Sequence, residues 1–105
     1  MDIVIERHGG GPCSLEEFAD KHGLQMEVHE RSLDFPAAVR FYAHFTRVEI
    51  AKDGFLVGAL GNGATPEEAI ANYALCIQGC HLKHEPSFDR ESWRYFDAPN
   101  EFVGR

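Results

Sequence analysis

The sequence predicts an α+β domain. It is expected to hold a three-stranded antiparallel sheet with two helices on one face, in the order α-β-β-β-α, with a strand-like extension at each end. Three observations carry this expectation. Helix-capping patterns stand at Ser14-Leu15-Glu16-Glu17 and at Thr65-Pro66-Glu67-Glu68. Between them, apolar and polar residues alternate. Turn residues, Asp34-Phe35-Pro36 and Lys52-Asp53-Gly54, divide the alternating stretch. An antiparallel sheet covered on one face by both helices buries the apolar sets this pattern creates.

Residues 2–7 place Ile3 and Ile5 on one side of a short extended run, which ends at the hinge Gly9-Gly10-Gly11-Pro12. Ser14 caps the first helix and Glu17 completes its capping box. Leu15, Phe18 and Ala19 share one face, and Gly23 stops the helix after about two turns. Residues 24–29 alternate as a half-buried strand. Val39, Phe41, Ala43 and Phe45 alternate in turn, and the apolar parity then switches to Val48 and Ile50. Such a phase change marks a bulge or a strand leaving one face.

Lys52-Asp53-Gly54 is expected as a hairpin turn, with residues 55–60 as the returning strand and Gly61-Asn62-Gly63 as a second turn. Thr65 then caps a helix that begins with Pro66. Ala69, Ile70, Tyr73, Ala74 and Ile77 form its buried face, and Gly79 ends it. Residues 80–84 form a short strand. The core is expected over residues 14–84, with 1–13 as an arm and 85–105 as an irregular tail holding a strand at 92–96.

The chain of 105 residues is one domain by length. It is 44% hydrophobic and 26% charged, the balance of a globular protein. No apolar run reaches the ~18 residues of a membrane helix, and the start lacks a secretory apolar region. The cytoplasm is the expected compartment. Cys13, Cys76 and Cys80 make an odd set with no disulfide framework. The net charge of −7 argues against phosphate-driven nucleic-acid binding.

The order of elements over residues 14–79 resembles the double-stranded-RNA-binding domain. Gly61, Gly63, Thr65, Ala69 and Ala74 match the opening of that family's second helix in register. The three lysines that grip phosphate in that family are replaced here by Pro66, Glu67 and Ile70. Carboxylates at a helix N-terminus repel phosphate, so the resemblance implies the fold without duplex-RNA binding. Residues 41–79 also resemble the N-terminal module of HicB-type antitoxins, on Gly61 or Gly63, Thr65, Glu68 and Ala69. That resemblance implies a protein partner. A general likeness to small phage and prophage proteins implies an accessory role.

Cys76, Cys80, His81 and His84 form C-x3-C-H-x2-H, which makes Cys76, Cys80 and His84 candidate metal ligands. Standard zinc spacing keeps two ligand pairs well apart, and Gly79 interrupts the helix that would align the cysteines. No metal and no cofactor is therefore expected. His8 and Cys13 flank the glycine hinge without a third group to orient them. The glycine turn before Thr65 lacks the lysine of a phosphate loop. His29, Arg40, Tyr42, His44 and Arg47 fall together as a possible binding face, the one basic and aromatic platform in the chain. No nucleophile–base set stands out, so no enzyme is expected. The leading expectation is a non-catalytic protein-interaction module that forms a homodimer. A nucleic-acid-binding module using the sheet face, or a HicB-like antitoxin as that resemblance implies, is the alternative.

Overall fold

The computed structural model of the chain describes residues 13–103. The strand-like run at 2–7, His8 and the glycine hinge lie outside the described residues.

Helix α1, Leu15–His22, begins as its sequence dictates. The Ser14 hydroxyl accepts from Glu17 N at 3.1 Å, and the Glu17 carboxylate accepts from Ser14 N at 2.8 Å. Gly23, at φ 66°, returns its N–H to the last carbonyls of the helix. The chain continues through strand β1 (Met26–Glu30), a 3-10 turn at Ala37–Val39, and strands β2 (Phe41–Phe45), β3 (Val48–Lys52), β4 (Phe55–Val57) and β5 (Gly61–Gly63). Helix α2, Pro66–Ile77, follows, then β6 (His81–His84) and β7 (Arg94–Asp97).

The chain is α+β, with two helices and two antiparallel sheets among the described residues. The single three-stranded sheet is not what forms. One sheet has the order β1-β2-β5 and the other β4-β3-β6-β7. The switch of apolar parity at residues 46–47 is where the chain passes from the first sheet to the second. Arg47 takes a left-handed conformation, φ 58°, and the strand direction breaks there. Ala43 and Phe45 are buried on the first sheet, and Val48 is buried where β3 meets β6.

The hairpin at Lys52-Asp53-Gly54 is present, with Asp53 at φ 52° and Gly54 at φ 82°. Its returning strand is shorter than expected and is not buried: Phe55, Leu56 and Val57 are all exposed.

Gly61-Asn62-Gly63 is not a turn but strand β5, paired with Phe41, Tyr42 and Ala43. The reason is steric. A Cβ at Gly61 would lie 2.5 Å from Tyr73 Cα, and closer still to Tyr73 N and Ala69 O. Only the lack of a Cβ at Gly61 and Gly63 lets α2 come this near.

Helix α2 is capped by Thr65, whose hydroxyl accepts from Glu68 N at 3.1 Å. The Glu68 carboxylate accepts from Ala64 N, one residue before the cap. Ala69, Tyr73 and Ile77 are buried by this helix against Phe45, with the Phe45 and Tyr73 rings edge-on at 5.4 Å. Phe18 joins the same core and meets Phe45, Phe96 and Phe102.

The C-terminal segment, expected as an irregular tail with a strand at 92–96, forms that strand as β7 (Arg94–Asp97) and then wraps the end of α2. Gly79 N donates to Pro99 O, Ala98 N to Cys80 O, and Phe102 N to Gln78 Oε1. Ala98 and Pro99 are buried there. Among the described residues no helix is long and apolar enough to cross a membrane.

Candidate functional site

The first sheet has two distinct faces. Strand alternation sends Met26, Ala43 and Phe45 toward the helices, and Glu27, His29, Tyr42 and His44 outward. In register, Glu27 stands opposite His44 and His29 opposite Tyr42. The rings of His29, Tyr42 and His44 stack, with centroids 4.9, 5.7 and 6.3 Å apart.

Three of the five residues expected on this face are therefore brought together. Arg40 lies just before β2, with its Nε buried and without a hydrogen-bond partner. Arg47 sits past the end of β2, over the Phe88 ring at 4.9 Å. It shares with His44 only the lining of a hollow of about 580 Å³. The guanidinium that does cover the stack belongs to Arg31, 4.5 Å above the Tyr42 ring. Its Nη1 donates to Val39 O at 2.7 Å, which fixes its position.

Glu27 was also missed. Its Oε1 is 2.8 Å from His29 Nε2 and 3.9 Å from His44 Nε2, and its Oε2 accepts from the Thr46 hydroxyl at 2.6 Å. The Thr46 and His29 hydrogen bonds hold its carboxyl below the usual carboxylate value. The signal was present in the sequence: Glu27 and His29 are two residues apart and share a strand face, and Arg31 continues the spacing one residue past β1.

The Cys/His candidates do not converge. Cys76 Sγ donates to Leu60 O at 3.5 Å, and Cys80 Sγ contacts the Cys76 carbonyl at 3.6 Å. His84 is buried in β6, where desolvation lowers its pKa. His81 points away and meets Asp97 at 2.7 Å. Among the described residues, Glu27, His29 and His44 form the one group of three or more His, Cys, Asp or Glu side chains with ligand atoms within 4.8 Å of one another. Cys13, at the edge of the core, has its thiol pKa raised by burial and by Glu17.

The opposite face of the molecule carries a groove that sequence reasoning did not find. It holds about 640 Å³ between α1, α2 and the C-terminal segment. Leu15, Ala19, Ile70, Ala74, Leu75 and Phe102 make its walls, Met26 and Phe45 its floor. Glu16 and Glu67, in the first turns of the two helices, also line it. Leu75 is 63% exposed and Val103, also on the groove, 44%. The groove arises because α2 rests on the glycine strand β5 and leaves its flank toward α1 uncovered. Leu75 lies outside the helix face read as buried, which is the one local hint of it.

Comparison with protein families, with curated proteins and with solved structures finds no match for this chain.

Proposed function

We propose that the protein is a non-catalytic interaction module whose groove between α1 and α2 takes an apolar segment of a protein partner, flanked by lysine or arginine. The observation that carries this reading is the groove itself: about 640 Å³, walled by aliphatic and aromatic side chains and bordered by Glu67. Grooves of this size and lining accept the apolar face of an amphipathic helix or strand. Exposed leucine and valine beside charged residues are the usual arrangement of a recognition surface. The net charge of −7 favours encounter with a basic partner.

The sheet face supports single-stranded nucleic acid less well. His29, Tyr42 and His44 stack on one another and on Arg31. That occupies ring faces on which bases would otherwise stack.

The test is a titration of the isotope-labelled full chain with three synthetic amphipathic peptides. They share one apolar register and carry lysine, glutamine or glutamate on the polar side. The lysine peptide should shift amide signals of Leu15, Ile70, Leu75 and Val103, and Leu75→Glu should abolish the shift. Equal binding of all three peptides, or shifts confined to residues 26–30 and 42–46, would overturn the assignment.

A further inference from the structure

From the outer face of the first sheet we infer that Glu27, His29 and His44 form a binding site for a divalent transition-metal ion, with zinc the ion to which the donor set is suited. Two imidazoles and one carboxylate are the donors of many three-ligand zinc sites that keep a fourth position open.

The geometry supports it in three ways. First, the donors are already gathered. His29 Nε2 and His44 Nε2 lie 2.8 and 3.9 Å from Glu27 Oε1, and all three donor atoms fall within 4.8 Å. Tetrahedral ligands at bond lengths of about 2.0–2.1 Å sit roughly 3.3 Å apart. Occupation therefore needs side-chain adjustments of no more than about 1.5 Å.

Second, the backbone is fixed. Glu27 and His44 are directly opposed in the β1–β2 ladder, and His29 is two residues along the same strand. A strand pair presents such donors with little conformational freedom.

Third, outer hydrogen bonds orient the donors. His44 Nδ1 lies 3.0 Å from Phe45 O. A carbonyl can only accept, so Nδ1 carries a proton, and in the neutral ring Nε2, on the Glu27 side, is the nitrogen with a lone pair for the ion. Thr46 donates to Glu27 Oε2 at 2.6 Å and so turns Oε1 toward His29 Nε2, 2.8 Å away, where an ion entering between them would take the place of their hydrogen bond. A backbone carbonyl on the second ring nitrogen and a hydrogen-bonded carboxylate are the supporting contacts that metal ligands usually carry. The site faces solvent, since His29 is 43% exposed and Glu27 36%. The fourth ligand would be water or a group from a partner.

The experiment uses the full chain. Substoichiometric Cu²⁺ should broaden amide signals of residues 26–30 and 42–46 first, which maps the site without any variant. Co²⁺ should give a visible spectrum without a thiolate charge-transfer band. By calorimetry, Zn²⁺ should bind with a stoichiometry near one. His44→Gln should lower the affinity at least tenfold, and Thr46→Val about tenfold. His81→Gln, which removes an imidazole paired with Asp97 on the second sheet, should leave it unchanged. Absence of Zn²⁺ binding would overturn the inference. So would broadening centred on Cys76 and Cys80, a thiolate band, or affinities of His44→Gln and Thr46→Val within twofold of the parent.

Discussion

Replacing Gly61 by alanine adds one methyl group, and the fold predicts that it is among the costliest single methyls in the chain. The new Cβ would lie 2.5 Å from Tyr73 Cα and nearer to Tyr73 N and Ala69 O. Carbon atoms in contact settle at about 3.5–4.0 Å, so α2 must retreat by at least about 1 Å. The atoms in the way are backbone, and no rotamer change relieves them. Retreat would lift Ala69, Tyr73 and Ile77, each at most 1% exposed, off Phe45 and the first sheet. Overpacking of a well-filled core costs about 1–3 kcal/mol, occasionally more, and a backbone clash belongs at the upper end. A loss of about 3 kcal/mol corresponds to roughly 12–20 °C in melting temperature for a domain of this size. Gly58 is the internal control, since a Cβ there meets nothing within 4 Å. Its replacement by alanine should change stability by no more than about 1 kcal/mol, in the stabilising direction. Urea titrations and thermal melts of Gly61→Ala and Gly58→Ala, followed by circular dichroism, decide the matter. Midpoints for the two variants that agree within error would refute the claim that bare backbone sets the helix-to-strand distance.

Four further outcomes are expected. Burial pushes the Tyr73 hydroxyl up to about 12, against an opposing backbone hydrogen bond with Phe45; an alkaline absorbance titration should therefore leave one tyrosine un-ionised well above pH 10, and Tyr73→Phe should remove that late step. Desolvation lowers the pKa of His22 and of His84, with Lys21 adding to the effect on His22; the unfolded chain then takes up protons first as pH falls, so stability is whole above about pH 6.5 and declines as acid carries these groups down through their lower folded values. Urea midpoints between pH 8 and 5 should follow that slope, and His22→Gln should flatten it. Duplex RNA at physiological salt should bind no tighter than the ~10⁻⁴–10⁻⁶ M of non-specific contact, and a salt-dependent gel shift below that range would contradict the reading of Pro66, Glu67 and Ile70. The exposed edge strand β4, with Phe55, Leu56 and Val57 uncovered, invites a second copy; light scattering should report a dimer that Leu56→Lys dissociates, and a monomer across micromolar concentrations defeats the expectation.

What the sequence made legible is what neighbouring residues decide among themselves. Ser14 with Glu17, and Thr65 with Pro66, mark helix starts because the capping contacts span three residues. Asp53 and Gly54 announce their turn because each adopts a positive φ. Alternation placed His29, Tyr42 and His44 on one face for the same local reason. Phase alone located the break at residues 46–47 but could not say where the chain goes next. Besides its hairpin mate β4, β3 pairs with β6, about thirty residues on. Gly61-Asn62-Gly63 misled because glycine punctuates turns far more often than it forms strands. Here the requirement comes from a helix backbone that passes over it, which no neighbouring residue reveals. The groove was invisible for a related reason: its walls come from two helices and a terminal segment whose proximity exists only after folding.

The path between the sheets has a consequence of its own. The chain lays two strands in the first sheet, two in the second, one more in the first and, after α2, two more in the second. Every interior cut between β1 and β7 thus strands a piece of at least one sheet on the wrong fragment. Severed at residue 64, the leading fragment keeps β3 and β4 without β6, and the trailing one keeps α2 without the glycine strand that seats it. The first sheet has all its strands by Gly63, but only after β3 and β4 of the second have been laid between them, and the second closes only after α2. The molecule is woven like cloth, where warp and weft hold only together, and its two halves should be recoverable only by mixing them, never by expressing one alone.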